Sequence, residues 1–290
     1  MVHPLPDLSP PTFVICFLCG LRDEAYFRWR TIYEKPKMRW TQQHYEQFET
    51  QGFLFVPGLF ATEELLRLNE ITPELLLGDD LLDGMHRERE RGGAVRQVYL
   101  AHRHSPPFKA LSEDARIVDP VKQILDSEIY IWHSKINVKD AFEGTVWLWH
   151  QDYGYWMWDG VEPKLVSVMV LLDEATINNG CLLVAAGTHK WGRLEHEADE
   201  RTTSYKQWCV DREILKERLT EAMIQPVIGK PGDVLFFDCN LLHGSGHNMS
   251  PLPRKTFIVA YNDLTNRPRP VENVRPDWVV SRKFEAVSGS

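Results

Sequence analysis

Two residue types that bind metals stand two positions apart near the middle of the chain. His150 and Asp152 follow the apolar run 146–149, and at this spacing side chains at a strand end project from one face toward a single ion. A second histidine, His243, comes just after the apolar run 234–237. Two histidines and one carboxylate are typical of mononuclear non-haem Fe(II) sites in oxygen chemistry, which keep coordination positions open.

One arginine stands where it could complement such a site. Arg254 begins the predicted strand that follows His243, and an antiparallel return would bring this strand back beside the previous one. The planar guanidinium binds a carboxylate through two parallel hydrogen bonds. The combination predicts a keto acid that chelates iron while Arg254 holds its far carboxylate.

Short strands must position these residues. Runs rich in β-branched and aromatic residues, separated by Gly, Pro and Asn turns, are typical of a sandwich or barrel, and eight of them fit a double-sheet jelly roll. The runs are 95–101, 129–138, 146–149, 165–172, 181–184, 225–228, 234–237 and 256–261. We therefore predict a mainly β fold with flanking helices, a cupin-like double-stranded β-helix with its core at about 95–262.

Helices are predicted around this core from their capping residues. Thr41 should cap a helix that ends at Gly52, and Thr62 should cap the next one. A third helix is predicted to start at 119–120 and end at 125. A polar helical insertion is expected at about 211–223.

Composition is that of a globular protein, with 43% hydrophobic and 26% charged residues among 290. Residues 1–37 differ, because prolines interrupt them and they follow no clear period. We expect residues 1–37 to be a partly disordered N-terminal extension. Residues 38–290 should form a single domain.

Charge and cysteine content bear on partners and location. The 33 Lys and Arg against 41 Asp and Glu give a net charge of −8, which argues against nucleic acid and against an anionic membrane surface. The apolar stretch 12–21 is about half a membrane span and lacks the flanks of a signal peptide. Five cysteines, an odd number, favour a reducing compartment. We expect a cytoplasmic protein with a small-molecule substrate, of undetermined oligomeric state.

Six aromatic residues crowd the segment around His150. Strand alternation predicts that Trp147 and Trp149 point away from His150 into the core. The residues beyond the ligands allow two interpretations, packing in the core or walls of the substrate pocket. They are Tyr153, Tyr155, Trp156 and Trp158.

From 38 to 283 the chain resembles the phytanoyl-CoA dioxygenase superfamily of Fe(II)/2-oxoglutarate-dependent oxygenases. Within it, the chain is most similar to bacterial L-proline 4-hydroxylases and ectoine hydroxylases. The matching stretches are IYIWHSKINVK (129–139), VWLWHQDYGYWMWDG (146–160), VLLDEATINNG (170–180), GTH (187–189) and GDVLFFDCNLLHGSGHNMSPLPR (232–254).

The resemblance implies residue roles and cofactors. It implies His150, Asp152 and His243 as ligands of Fe(II), with 2-oxoglutarate and O2 as co-substrates. Residues implied to contact 2-oxoglutarate are Arg254, Ser245, Asn137, Trp156 and His133, and at His133 the relatives usually have Gln instead.

The activity implied is hydroxylation of a small molecule at an unactivated C–H bond. Likeness to the proline hydroxylases favours a free cyclic amino acid. The alternative is a tailoring oxygenase of a secondary-metabolite pathway, acting on a polyketide, terpenoid or peptide scaffold. A non-catalytic jelly-roll binding protein is a remote alternative, since Arg254 and all three ligands are retained.

Overall fold

The computed structural model describes residues 40–78, 84–202 and 206–289, and the statements below concern these ranges. The expected extension at 1–37 lies outside them. Within the described ranges, no helix is long and apolar enough to cross a membrane.

Short helices flank the sheets, most of them ahead of the metal-ligand candidates in the chain. The helices are α1 (Gln42–Gln51), α2 (Thr62–Leu77), α3 (Ala101–His104), α4 (Pro106–Ser112), α5 (Ala115–Leu125), α6 (Asp152–Trp156) and α7 (Arg212–Arg218), with 3-10 turns at Met157–Asp159, Thr188–Trp191 and Glu221–Met223. The predicted limits of α1 are confirmed: the Thr41 side chain accepts a hydrogen bond from the backbone N–H of His44, and Gly52 ends the helix at a φ of 81°. Helix α2 starts at Thr62 itself, with Ala61 in the capping position.

Helix α5 begins earlier than predicted. The prediction of a start at 119–120 was wrong, because the Asp114 carboxylate caps the helix by accepting from the backbone N–H of Arg116 at 3.0 Å. The Arg116 guanidinium also pairs with Asp114 at 3.0 Å and with Glu64 at 2.8 Å. These buried contacts outweigh the preference of proline for a first turn, so Pro120 lies inside the helix.

Two antiparallel sheets form the body of the fold, and each of the eight predicted runs overlaps one of their strands. The strands are β1 (Phe53–Val56), β2 (Arg87–Arg89), β3 (Val95–Tyr99), β4 (Ile129–Lys139), β5 (Trp147–His150), β6 (Leu165–Leu171), β7 (Leu182–Ala185), β8 (His196–Asp199), β9 (Gln207–Val210), β10 (Ile224–Val227), β11 (Val234–Asp238), β12 (His243–Ser245) and β13 (Arg254–Asp263). The larger sheet has the order β1-β11-β6-β13-β4-β3-β2, and the smaller has the order β10-β7-β12-β5. Strands β1 and β2, which precede residue 95, thus extend the larger sheet at its two edges.

The larger sheet separates two apolar clusters. Along β6, Val166, Val168 and Val170 pack against the helices, while Met169 and Leu171 face the smaller sheet. Strand alternation produces this division, because successive side chains point to opposite faces. The inner face, shared with the smaller sheet, is where a cavity lies.

A hairpin outside both sheets was not predicted. Strands β8 and β9 pair with each other antiparallel, and α7 follows them. The expected helical insertion at 211–223 is observed as α7 and one 3-10 turn. The polar sequence of β8, HEAD, shows no apolar alternation, so no strand signal was present.

Candidate metal centre

Two neighbouring strands of the smaller sheet carry the two histidines. His150 ends β5, His243 begins β12, and the two residues are direct cross-strand partners. Asp152 is the first residue of α6, and a single residue, Gln151, separates it from the end of β5. The sheet and the turn that leaves it therefore bring together three side chains that the sequence had singled out.

The three side chains can hold one ion. One ligand atom from each of His150, Asp152 and His243 lies within 4.8 Å of the others. The Nδ1 atom of His150 is 2.7 Å from the carbonyl of Leu148, and that of His243 is 2.9 Å from the carbonyl of Leu241. Each carbonyl accepts the Nδ1 proton, so the Nε2 lone pair of each ring is free to bind a metal.

Electrostatics keep these groups in metal-binding form. Burial lowers the pKa of His150 and of His243, so both imidazoles are neutral at neutral pH. Burial alone would raise the pKa of Asp152, but His243, Lys135 and His150 together shift it below its ordinary value. The Ser167 hydroxyl donates to Asp152 Oδ2 at 2.7 Å and fixes the carboxylate.

The donor set fits Fe(II). Two neutral imidazoles and one carboxylate form the facial set of non-haem iron oxygenases, which leaves positions open for other ligands. All three residues are buried, so the first coordination shell is shielded from bulk solvent except through the cavity.

A cavity adjoins this triad. It encloses about 470 Å³ of space, part of which is open to solvent at its mouth. Apolar side chains from both sheets form much of its wall. The lining residues are Lys135, Asn137, Trp147, His150, Asp152, Met169, Leu182, Phe237, His243, Ser245, Arg254, Thr256 and Ile258.

One end of the cavity is lined by buried polar atoms that lack hydrogen-bond partners. They are Asn137 Oδ1, Ser245 Oγ, Arg254 Nε and Thr256 Oγ1. Burial lowers the pKa of Arg254 to about 10, and no carboxylate of the described residues forms an ion pair with it. Such groups are costly unless a ligand satisfies them. A carboxylate bound here would accept hydrogen bonds from Arg254 Nε, Ser245 Oγ and Thr256 Oγ1, which fits the predicted role of Arg254 and Ser245. Asn137 Oδ1 is an acceptor and needs an N–H or O–H donor instead.

Trp147 faces the cavity, contrary to the prediction. His243 pairs with His150 and Ser245 pairs with Trp147, so between these pairs β5 has one more residue than β12. This bulge reverses the alternation of side chains. Trp147 and His150 consequently share a face, with ring centroids 6.1 Å apart. Trp149 packs against an apolar cluster of the core, as predicted.

Two residues with an expected co-substrate contact lie beside the cavity rather than in its lining. His133 Nδ1 is 3.0 Å from the Val279 carbonyl, and burial lowers the pKa of His133 to about 3. Trp156 is buried and packs edge-on against His133, with ring centroids 5.4 Å apart. Contact of His133 and Trp156 with 2-oxoglutarate remains a prediction.

The three remaining aromatic candidates have different surroundings. The Tyr155 ring is edge-on to His150 with centroids 5.7 Å apart, and its hydroxyl donates to the Trp208 carbonyl at 2.8 Å. The Tyr153 hydroxyl donates to the Val161 carbonyl at 2.9 Å. Trp158 is 53% exposed. Tyr155 therefore packs against His150 of the triad, whereas the Tyr153 hydroxyl is bound to Val161 and Trp158 is largely exposed.

Several residues at the site were missed by the sequence reasoning. Lys135 and Thr256 line the cavity, and Ser167 orients Asp152. Alternation along β4 could have identified Lys135, which stands two residues from Asn137. No signal in the sequence marks Ser167, whose contact with Asp152 depends on how the two sheets pack.

Comparison with known proteins identifies the family. The sequence model described as Phytanoyl-CoA dioxygenase (PhyH) matches residues 48–256. Ectoine dioxygenase from Sphingopyxis alaskensis is 33% identical over 250 residues, which cover 82% of this chain and 81% of that protein. Ectoine dioxygenase from Bordetella bronchiseptica is 31% identical over 255 residues, or 83% of each chain. The crystal structure of EctD from S. alaskensis with 2-oxoglutarate and 5-hydroxyectoine has a TM-score of 0.74 at 30% identity, covering 88% of this chain and 91% of that one. The chain therefore belongs to the phytanoyl-CoA dioxygenase family, and it is a 2-oxoglutarate-dependent dioxygenase with a jelly-roll fold.

Proposed function

We propose that this enzyme hydroxylates an unactivated C–H bond of a small cyclic amino acid or a close derivative of one. Relatives at about 30% identity are named for ectoine, a small cyclic zwitterion, and the likeness to proline hydroxylases indicates the same chemical class. The shared features of this class are a ring, one carboxylate and one nitrogen cation.

The observation that carries the proposal is the charge of the cavity wall. Lys135 lines the cavity on the side of the metal ligands, half-buried, with its Nζ 5.9 Å from the centroid of the Trp147 ring. Among the described residues no carboxylate forms an ion pair with Lys135, whereas most other lysines of these ranges have such a partner or lie at the surface. An ammonium group held beside an iron site attracts an anionic substrate.

Different residues of the chain bind the metal ion and 2-oxoglutarate at this site. Fe(II), with 2-oxoglutarate and O2 as co-substrates, would supply the oxidising power for hydroxylation of the C–H bond. His150, Asp152 and His243 hold the ion, and Ser167 keeps the carboxylate of Asp152 in one orientation. Arg254 holds the far carboxylate of 2-oxoglutarate.

Other side chains place the substrate and exclude water. Lys135 binds the substrate carboxylate, and this contact orients the substrate ring toward the side of the cavity where His150, Asp152 and His243 lie. Apolar residues on the inner faces of the two sheets keep competing water from the reacting C–H bond. They are Met169, Leu182, Phe237 and Ile258.

The alternatives from the sequence have less support. The relatives at about 30% identity are named for ectoine, whereas the carbocyclase SnoK from nogalamycin biosynthesis is 17% identical over 88% of this chain, a likeness that shows the fold alone. A binding protein without catalysis would not need a buried, correctly protonated ligand triad beside an unpartnered arginine.

Succinate release tests the proposed function. The iron-loaded enzyme is assayed with L-proline, ectoine and other cyclic amino acids, and with the carboxamide of each. We expect the carboxylates to stimulate succinate release and the carboxamides to do so poorly. Lys135→Met should raise the KM for the carboxylates about 10- to 100-fold, because a charge-assisted hydrogen bond is lost.

The controls separate substrate binding from general damage. The KM for 2-oxoglutarate should stay within about threefold in Lys135→Met, since Arg254 is intact. Lys216→Met removes an exposed lysine of α7 and should leave both constants unchanged. If no cyclic amino acid stimulates succinate release, or if carboxamides work as well as carboxylates, the proposal is wrong.

A further inference from the structure

A row of polar side chains crosses the larger sheet and continues beyond the cavity. Strand register pairs Glu88 with Gln97, Gln97 with Asn137, and Asn137 with Thr256. Paired residues of neighbouring strands project from the same face of a sheet. Asn137 and Thr256 line the cavity, and the register places Gln97 and Glu88 next in the row, on the same face of the sheet in β3 and β2.

Gln97 presents an acceptor that nothing satisfies. Its side chain is 2% exposed, and its Nε2 donates to the Tyr99 hydroxyl at 2.9 Å and to the Glu88 carboxylate. The bond to a carboxylate fixes which end of the amide carries the hydrogens. Gln97 Oε1 is left buried without a partner, and such an acceptor requires an N–H or O–H donor.

Glu88 supplies a negative charge at the same place. Its side chain is half-buried, and within the described part of the chain no lysine or arginine lies within ion-pair distance of its carboxylate. The bond from Gln97 fixes one oxygen of this carboxylate and leaves the other able to accept. A carboxylate beside an unsatisfied amide oxygen favours a cationic donor.

Aromatic rings stand beside these acceptors. Tyr99 is the cross-strand partner of Lys135, and its ring lies 4.8 Å from that of Trp278, centroid to centroid. Ring faces stabilise a nearby cation. Along this face a positive group, Lys135, and a negative group, Glu88, therefore stand on either side of Tyr99.

We propose that Glu88 and Gln97 Oε1 form a subsite for the nitrogen cation of the substrate, an ammonium or amidinium that carries N–H donors. The inference rests on the proposed function, in which Lys135 binds the substrate carboxylate. Two groups of opposite charge on one wall then select a zwitterion and set the direction of its ring.

Calorimetric titration without O2 tests this subsite on the enzyme loaded with Fe(II) and 2-oxoglutarate. The probes are L-proline and ectoine, which carry a nitrogen cation, and L-pyroglutamate, whose ring nitrogen is an uncharged lactam. We expect the wild type to bind a cationic probe at least about tenfold more tightly than pyroglutamate. Glu88→Gln should abolish this preference while leaving the affinity for pyroglutamate within about twofold.

Two further variants make the result specific. Gln97→Leu removes the unpartnered acceptor and should also weaken cation binding, and Glu128→Gln removes a surface carboxylate paired with Lys122 and should change nothing. Equal affinity of the wild type for charged and uncharged probes, or a preference that survives in Glu88→Gln, overturns the subsite. A cation preference that Glu88→Gln removes, without succinate release for any probe, supports the subsite and overturns the proposed function.

Discussion

Replacing Arg254 should raise the stability of the unliganded protein and weaken its binding of 2-oxoglutarate. Arg254 is 3% exposed and has no ion-pair partner among the described residues, and burial lowers its pKa from 12.5 to about 10. At about 1.4 kcal/mol per pKa unit, burial disfavours the charged form by roughly 3 kcal/mol. The folded pKa is the lower one, so this penalty is fully present at every pH below about 10.

Arg254→Met keeps an unbranched side chain, shorter than that of arginine, and removes the charge. We expect the free energy of unfolding of the protein without 2-oxoglutarate to rise by about 1–3 kcal/mol, measured by urea denaturation at pH 7. Loss of a buried two-bond contact to a carboxylate costs about 2–5 kcal/mol, so the KM for 2-oxoglutarate should rise from about 30-fold to several thousandfold.

Arg254→Met is expected to be more stable than wild type but to bind 2-oxoglutarate more weakly. A variant with a generally damaged fold would instead lose both stability and binding. In wild type, saturating 2-oxoglutarate should raise the melting temperature of the metal-loaded protein, and in Arg254→Met it should not. Arg254→Lys, which keeps the charge without the planar fork, should have an intermediate KM. A variant that loses stability while its KM for 2-oxoglutarate stays within threefold would refute the reasoning.

Two further predictions concern Fe(II) binding and the buried histidine His102. Asp152→Ala should abolish succinate release and most Fe(II) binding, and normal turnover in this variant would disprove the ligand assignment. Ser167→Ala removes only the hydrogen bond that orients the carboxylate of Asp152. It should weaken Fe(II) binding about 10- to 100-fold, measured by equilibrium dialysis. Burial, with Arg103 and His133 nearby, lowers the pKa of His102 to about 3. Below pH 6.5 the unfolded chain therefore binds a proton that the folded protein does not. The free energy of unfolding should fall by about 1.4 kcal/mol per pH unit down to about pH 3. His102→Gln should lessen that slope between pH 6 and 4 in urea titrations, and parallel curves for the two proteins would contradict the assigned pKa.

The grouping of His150, Asp152 and His243 was predictable because each of these residues stands in a local pattern. His150 and Asp152 follow an apolar run, His243 follows another, and the turns around them are marked in the sequence. Runs of β-branched and aromatic residues between turn signals likewise predicted the strands, and the Thr41 cap with Gly52 predicted the first helix. Local signals of this kind are enough when the local structure is regular.

What the sequence did not predict depends on contacts between distant segments. Trp147 faces the cavity because β5 contains a bulge opposite β12, and a bulge is set by the pairing of two strands. Helix α5 starts after Asp114 because Arg116 reaches Glu64 in another helix. Lys135 became a candidate only when the structure showed that no carboxylate of the described residues forms an ion pair with it.

The pairing of His150 with His243 has a consequence for the lifetime of the folded protein. These residues lie far apart along the chain yet occupy opposite positions in adjacent strands. The two histidines therefore come together only after β5 and β12 have paired. Contacts between distant segments tend to form late in folding, and a late contact slows unfolding more than it speeds folding. A bound metal would therefore link the two strands and slow unfolding. The enzyme would unfold, and be cleaved by proteases, faster when iron is scarce than when iron is plentiful.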